Sequence, residues 1–334
     1  MRREGDAIPR RPAGRHRLSA LTLIGAFALA AALLGGLSPE GAATTPGTDG
    51  LIVFAKEVRR DFQLFTVRPD GTGQRQITQI DGDAVHPDWS PDGDRVVFEF
   101  DHKRAQPRPY CSIAVMNADG SGLTDLALET GGCDGQPSFS PDGQRIVYVH
   151  FDDVNDVETI WSMDAGGGDR RQIESRWRAG VTDPNMSPDG RWITFTRLQQ
   201  EHRRQAIFAI RPDGSGLRRL TPFSWEVAIK HDWSPDGRRI ALTTNADFVR
   251  RRSSANLVTI RPDGSGLRRL THFRRGRMNA FAGSFSPDGD QIVFRLEEGD
   301  RYSLAVVDRD GGNLHALGRP SGSPPRYIDW GSHP

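Results

Sequence analysis

The chain has 334 residues, with 44 Lys and Arg against 43 Asp and Glu, so its formal net charge is +1. This near-neutral charge gives no overall attraction to nucleic acid, and we expect no nucleic-acid partner. The hydrophobic fraction of 36% suits one large domain of half-buried strands better than a thick helical core.

The first 43 residues have the pattern of an export signal. Six arginines precede an apolar run at residues 18–37, which contains no charged residue. Gly41 and Ala43 then provide the small residues of a signal-peptidase site. The run is also close to the ~20 residues that span a bilayer, so an uncleaved anchor is the alternative. In both cases we expect the rest of the chain to be periplasmic or extracellular, with membrane contact only through this segment.

Residues 44–50 are predicted to be a flexible linker, and a repeat follows from residue 51 onward. The tetrapeptide Ser-Pro-Asp-Gly occurs five times, and its starts are 50, 47, 47 and 52 residues apart. In such a turn Pro pre-sets φ, the Asp side chain caps the backbone and Gly takes a positive φ. The copies lie at residues 90–93, 140–143, 187–190, 234–237 and 286–289.

A second Asp-Gly turn follows about 27 residues after the first. Its clearest copies, at 211–221 and 261–271, read Arg-Pro-Asp-Gly-Ser-Gly-Leu-Arg-Arg-Leu-Thr. The segments between turns are β-rich and show no helical period. Four short strands in each repeat of ~47 residues predict one four-stranded antiparallel blade of a β-propeller.

The two ends of the chain give the number of blades. Five repeats are complete, but the first, at residues 51–78, lacks its leading strand. The C-terminal Asp329-Trp330 resembles the leading strand of the next repeat, Asp88-Trp89. We therefore predict an all-β, six-bladed propeller at residues 51–334, with the last strand completing the first blade and removing an open sheet edge.

These motifs resemble the repeats of the TolB-like β-propeller family. The resemblance covers residues 51–332 and depends on Trp-Ser-Pro-Asp-Gly, the strand that follows it, and the longer Asp-Gly turn. It implies a non-enzymatic propeller that binds a protein or peptide partner in the cell envelope. TolB also has an α/β domain before its propeller, whereas we expect only a short linker here, so the resemblance is to the propeller alone.

Propeller connectivity separates two faces. Both Asp-Gly turns lie on one face, the turn face, and the longer loops lie on the other, the loop face. Because variable loops carry function and Arg and aromatic residues dominate binding hot spots, we predict partner contacts on the loop face. The candidates are Trp177, Arg203, Arg204, Trp225, Arg250, Arg251, Phe273, Arg274, Arg275 and Arg277.

Cys111 and Cys133 are the only cysteines. They map to adjacent loops on one rim of the propeller. Since an exported protein meets an oxidising compartment, we predict a structural disulfide between them.

The inner strands should line a central channel with a polar ring. Its predicted members are His86, Asp88, Asp183, Asn185, His231, Asp232 and Asp329. The ring can be a solvated wall, or Asp88, Asp232 and Asp329 can hold Ca²⁺. Acid–base chemistry by His is a third option. No Gly-x-Ser-x-Gly or His-Glu-x-x-His motif supports a hydrolase.

The sequence therefore favours an exported, monomeric scaffold without catalytic residues, which binds a protein or peptide. Its only predicted cofactor is the possible structural Ca²⁺ in the channel. The alternative is a propeller enzyme that acts on a carbohydrate or lactone in the channel, a function suggested by fold analogy.

Overall fold

The structure is a computed structural model, and it describes residues 47–105, 110–126, 132–152, 155–174, 180–199, 204–244, 254–274 and 277–332. The predicted signal segment, residues 1–43, lies outside these ranges. Within them the chain is β throughout, apart from one 3-10 turn at Phe223–Trp225. None of the helical structure found there has the length and apolar character that crossing a membrane requires.

The strands are short and follow one another through tight turns. The first eleven are β1 (Asp49–Val58), β2 (Asp61–Val67), β3 (Arg75–Gln76), β4 (Asp83–Trp89), β5 (Arg95–His102), β6 (Tyr110–Asn117), β7 (Thr124–Asp125), β8 (Cys133–Phe139), β9 (Arg145–Asp152), β10 (Val157–Asp164) and β11 (Arg171–Glu174).

The remaining strands continue the same four-strand rhythm. They are β12 (Val181–Met186), β13 (Ile193–Gln199), β14 (Arg204–Ile210), β15 (Arg218–Arg219), β16 (Val227–Trp233), β17 (Ile240–Thr244), β18 (Asn256–Ile260), β19 (Arg268–Arg269), β20 (Met278–Phe285), β21 (Gln291–Glu298), β22 (Arg301–Asp308), β23 (His315–Ser321) and β24 (Arg326–Ser332).

The described strands form an all-β propeller with four-stranded antiparallel blades. Four sheets have four strands each, in the orders β24-β1-β2-β3, β12 to β15, β16 to β19 and β20 to β23. A fifth sheet has eight strands, because β4 to β7 and β8 to β11 are joined. The sheets thus differ from the predicted set of six separate blades.

The joint in the eight-stranded sheet is a parallel bridge between Cys111 of β6 and Cys133 of β8. The predicted disulfide connects the same two residues, whose Cα atoms are 4.6 Å apart. This covalent bond holds two strands from consecutive repeats close enough to hydrogen-bond, which explains why the two sheets merge.

The last strand belongs to the first sheet. β24 runs antiparallel to β1, with Trp330 opposite Ile52 and Asp329 opposite Val53. Trp330 is 2% exposed and packs in an apolar cluster with Ile52 and Phe54. Burying a side chain of this size contributes about 2–3 kcal/mol, so β24 is part of the core.

The Ser-Pro-Asp-Gly turns are stabilised by hydrogen bonds of their own Ser, Asp and Gly residues. In the second copy, the Ser140 hydroxyl donates to Asp142 Oδ1 at 2.6 Å and accepts the Arg145 N–H at 2.8 Å. Gly143 has a φ of 65° and donates its N–H to the Ser140 carbonyl. The Ser–Asp bond recurs in all five copies, so these carboxylates have a structural role.

Apolar side chains fill the gaps between consecutive repeats. Six buried clusters occur among the described residues, and each draws on two neighbouring repeats. One of them combines Val293 and Val306 of the last repeat with Ile52 and Phe54 of the first. The core is therefore a series of thin layers between sheets, with polar side chains of the inner strands on the channel side.

Candidate binding site at the channel and loop face

Polar side chains directly before the aromatic or Met residue of each inner strand connect neighbouring repeats. Asp88 Oδ2 accepts the Phe139 N–H at 2.8 Å, and Asp329 Oδ2 accepts the Trp89 N–H at 2.9 Å. Each of these bonds joins one repeat to the next. We call the set the linking ring; it comprises Asp88, Asn185, Asp232 and Asp329.

Asp232 makes the largest number of such contacts within the linking ring. Its Oδ2 accepts the Phe285 N–H at 2.8 Å and the Ser284 hydroxyl at 3.0 Å, and its Oδ1 accepts the Asn185 amide at 3.2 Å. Burial, reinforced by Asp329, raises the pKa of Asp232 to about 6. Burial and Asp329 also raise the pKa of Asp88 well above its ordinary value.

A second ring lies two residues earlier on the same strands, towards the loop face. His86, Gln136, Asp183 and Tyr327 adopt left-handed φ values between 50° and 53°. At each position the strand pairing shifts register, as at a β-bulge, which re-aims a side chain. With the equivalent residues Lys230 and Ala282, they form what we call the mouth ring.

The structure corrects the predicted position of His231. The ring position belongs to Lys230, and the His231 side chain is fully buried in the channel wall. The backbone N–H of His231 donates to Asp183 Oδ2 at 3.0 Å, and the ring Nδ1 of His231 lies 3.2 Å from the same oxygen. Counting back four residues from Ser234, as from Ser90 to His86, identifies Lys230 from the sequence alone.

Lys230 supplies a positive charge inside the channel. Its Nζ lies 4.0 Å from Asp183 Oδ1, and its side chain is 18% exposed. Burial would lower the pKa of Lys230, but Asp183, Asp329, Asp88 and Asp232 together raise it. Although burial opposes its ionisation, Asp183 has a lowered pKa because Lys230 and His231 stabilise its negative charge.

This arrangement does not fit the predicted Ca²⁺ site. Asp88, Asp232 and Asp329 each accept a backbone N–H from a neighbouring repeat. Within the described ranges, no three His, Cys, Asp or Glu side chains are grouped as metal ligands. The Lys230 ammonium lies 4.0 Å from Asp183 and is also attracted by Asp329, Asp88 and Asp232, so a cation is already present beside these carboxylates.

Two further titratable groups adjoin the mouth ring. The His86 ring stacks on Tyr327 with centroids 3.7 Å apart, and burial lowers the pKa of His86 to about 3. Glu99 Oε2 accepts the Gln136 N–H at 3.0 Å, and burial raises the pKa of Glu99 to about 7. His86 is thus neutral at physiological pH, whereas Glu99 titrates there.

A Ser–His–Asp group outside the channel is the nearest approach to a hydrolytic site. His102 Nε2 lies 2.9 Å from Ser112 Oγ and 3.1 Å from Asp125 Oδ2. A catalytic triad uses both ring nitrogens, one for the serine and the other for the carboxylate. Here one nitrogen faces both partners, and Ser112 is 1% exposed. The geometry therefore does not support acyl transfer.

A cavity of about 500 Å³ opens beside the mouth ring on the loop face. We call it the mouth cleft. Ile229, which is 39% exposed, lines it, and the Arg295 guanidinium lies 4.3 Å from the ring centroid of Phe281 in its wall. Concave, mostly apolar sites with a few polar groups are typical of ligand binding. Other lining residues include Gln205, Lys230, Tyr302, Pro325, Arg326 and Tyr327.

The predicted partner residues do not line the mouth cleft where the structure describes them. Arg204 pairs with Glu226 at 3.3 Å, while Arg274 and Arg277 are exposed. Trp225 and Phe273 are half-buried and pack against apolar clusters. The others lie outside the described residues: Trp177, Arg203, Arg250, Arg251 and Arg275.

Comparison with known proteins establishes the class and the family. The TolB beta propeller domain model matches residues 52–331. The chain therefore belongs to the TolB β-propeller family. It is 32% identical over 116 residues to the uncharacterized protein Atu1656 of Agrobacterium fabrum (strain C58 / ATCC 33970), a match that covers 31% of this chain and 37% of that protein.

Solved structures show the same fold. TolB from Acinetobacter baumannii is 21% identical with a TM-score of 0.68, and the match covers 85% of this chain and 67% of that one. A putative TolB from Agrobacterium tumefaciens is 19% identical with a TM-score of 0.62, covering 81% and 89%. A more distant match is an oligogalacturonate lyase in complex with manganese, 13% identical with a TM-score of 0.58, covering 84% and 77%.

Proposed function

We propose that this protein is an exported scaffold that binds a protein or peptide partner through the mouth cleft. The carrying observation is the cleft itself: a cavity of about 500 Å³ with aromatic and aliphatic walls and the cationic groups Lys230, Arg295 and Arg326, of which Arg295 pairs with the lining residue Glu297 at 3.0 Å. Rigid aromatic and Arg side chains are the usual anchors of protein interfaces. The extended backbone of a peptide fits such a cleft at the end of a channel.

The scaffold is proposed to be a closed ring of six blades, in which the eight-stranded sheet counts as two. The six apolar clusters support this count, because they link the repeats in an unbroken cycle. The pairing of β24 with β1 supports closure through the first blade. A closed ring would hold the mouth cleft, which draws on several sheets, in a fixed shape.

Residues 1–43 are proposed to be an export signal or anchor, which places the propeller in the periplasm or outside the cell. The Cys111–Cys133 disulfide supports an oxidising location. Catalysis is not part of the proposal. The likeness to the lyase concerns the fold, and the Ser112, His102 and Asp125 group lacks triad geometry.

Two matched variants test the binding site. Ile229→Glu places a charge on an exposed apolar wall of the mouth cleft, and Leu267→Glu makes the same change on the turn face, where Leu267 is 46% exposed. We expect chemical cross-linking in detergent-solubilised envelope extract to capture a discrete partner with the wild type and with Leu267→Glu.

Capture should fall at least tenfold, or by more than about 1.4 kcal/mol, with Ile229→Glu, because the apolar contact made by Ile229 is replaced by a carboxylate that loses its hydration when the partner binds. The melting temperatures of both variants should stay close to that of the wild type. Equal capture by all three folded proteins would refute the mouth cleft as the binding site.

A further inference from the structure

A cavity of about 740 Å³ lies on the turn face, between the sheet of β16 to β19 and the sheet of β20 to β23. We call it the arginine cleft, because Arg238, Arg239, Arg268 and Arg309 line it. Asp236, Asp288 and Asp310 line it too and offset part of this positive charge, while their oxygens also cap their own turns. Asp236 Oδ1, for example, accepts the Ser234 hydroxyl at 2.6 Å and the Arg238 N–H at 2.9 Å.

Three of the four guanidinium groups of the arginine cleft are held in place by single contacts. Arg239 donates to the Gly266 carbonyl at 2.7 Å, and Arg268 donates to the Asp310 carbonyl at 3.0 Å. Arg309 Nε lies 3.5 Å from Asp290 Oδ1. A guanidinium carries five N–H donors. These described contacts use one nitrogen of each arginine, which leaves donors for an anion.

This concentration of arginine is not a general property of the repeat. A related cavity of about 310 Å³ lies on the turn face between Ser140 and Asp189, and Arg145 is the arginine in its lining. Arg145 there is neutralised by Asp169 at 2.8 Å. The arginine cleft is larger and more basic, although both cavities are built from equivalent Ser-Pro-Asp-Gly turns.

Exposed leucines occur on the same face. Leu123, Leu267 and Leu314 each follow the second Asp-Gly turn of a repeat, and they are 43%, 46% and 37% exposed. Their recurrence places apolar side chains around the rim of the turn face. An apolar rim beside a basic cleft is typical of a surface that rests on a bilayer.

The chain also enters the propeller at this cleft. Gly47 lines the arginine cleft, and its N–H donates to the Pro287 carbonyl at 3.3 Å. Only residues 38–46 separate Gly47 from the apolar run at 18–37. Nine residues span at most ~30 Å when fully extended. In the anchored alternative, the segment that follows the apolar run therefore joins the propeller at this cleft.

We propose that the arginine cleft binds the phosphate groups of anionic lipid headgroups, so that the turn face rests on the membrane and the loop face points away from it. Guanidinium groups match phosphate geometry, and basic side chains near an anionic surface are attracted to it. This second surface goes beyond the partner site proposed at the mouth cleft and depends on different residues.

The test uses a chain that begins at Pro39, so that the apolar run cannot insert. Every buried core side chain of the described residues lies between Ile52 and Trp330, so this chain retains the core. Its binding is measured by co-sedimentation with phosphatidylcholine vesicles, with and without phosphatidylglycerol. We expect binding that requires phosphatidylglycerol and that weakens as salt is added.

The double variant Arg268→Gln/Arg309→Gln should lower binding roughly tenfold or more. Arg218→Gln is the matched control, since Arg218 and Arg268 hold equivalent positions in β15 and β19, and it should retain most of the binding. Absence of phosphatidylglycerol-dependent binding would overturn the proposal. So would equal losses in the double variant and the control, or a thermal shift with inorganic phosphate without vesicle binding.

These outcomes are separable from those at the mouth cleft. Ile229→Glu should leave vesicle binding unchanged, and the double arginine variant should leave partner capture unchanged. Loss of both activities in one folded variant would contradict the assignment of two surfaces.

Discussion

The linking ring and the mouth ring lie only two residues apart on the inner strands that they share, yet their polar groups have different uses. In the linking ring, Asp88, Asp232 and Asp329 accept backbone N–H groups from neighbouring repeats. In the mouth ring, Lys230, Ala282 and Tyr327 line an open cleft. Polarity in a propeller channel is therefore poor evidence of a ligand site, unless the partners of each polar atom are known.

The largest expected effect comes from breaking the linking ring and the first sheet together. Deletion of residues 329–334 removes the buried Trp330 and the bond from Trp89 to Asp329. It also exposes the edge of β1. We expect a loss of more than about 5 kcal/mol of unfolding free energy, enough to abolish cooperative unfolding. A melting curve like that of the full chain would show that β24 is dispensable.

A smaller effect is expected from a single change in the linking ring. Asp232→Ala leaves the Phe285 N–H, the Ser284 hydroxyl and the Asn185 amide without this acceptor. The expected cost is about 2–4 kcal/mol in urea unfolding. Asp232→Asn retains an acceptor oxygen and should cost less than half as much. If Ala and Asn were equally destabilising, the carboxylate would not act by accepting these bonds.

The smallest expected effect is a gain in unfolding free energy, from the substitution Glu99→Gln beside the mouth ring. Glu99 has a pKa of about 7 in the folded protein, against ~4.3 in an unfolded chain. A raised acid pKa stabilises the fold at low pH, and that stability is lost as the pH rises from ~4.3 through 7. Glu99→Gln keeps an acceptor for the Gln136 N–H. Because glutamine does not ionise, the variant does not lose stability as the pH rises.

We therefore expect Glu99→Gln to match the wild type near pH 4 and to exceed it by roughly 2–3 kcal/mol above pH 7. Denaturant unfolding of both proteins across this range measures the difference. A stability difference that does not change with pH would mean that Glu99 is not the titrating group. Together with Asp232, this result would separate a side chain kept for stability from one that costs stability.

Features encoded by local chemistry could be predicted from the sequence. The Ser-Pro-Asp-Gly turns, the pairing of the last strand with β1 and the disulfide each depend on a few residues with specific chemistry. The repeat spacing also aligns Asp88, Asn185, Asp232 and Asp329, whose side chains hydrogen-bond between repeats in the structure. Lys230 was missed because His231 has a more familiar catalytic side chain, although the count identifies its neighbour.

The mouth cleft could not be predicted, because its walls come from strands far apart in sequence. Gln205 of β14, Ile229 of β16, Arg295 of β21 and Arg326 of β24 meet only when the sheets are arranged around the channel. Trp225 and Phe273 were attractive as anchors by residue type, but both are partly buried and pack against apolar clusters. Residue type alone does not distinguish an interface aromatic from a core aromatic.

The disulfide also determines how the propeller would respond to a pulling force. Between most repeats, the contacts are apolar layers and single hydrogen bonds, which separate under load. Between β6 and β8, the Cys111–Cys133 bond carries the load instead. If an anchored chain is pulled by a bound partner, β24 can separate from β1 within the first sheet. The strands from β4 to β11 then remain one mechanical unit. A reducing environment removes that protection without changing any residue of the mouth cleft.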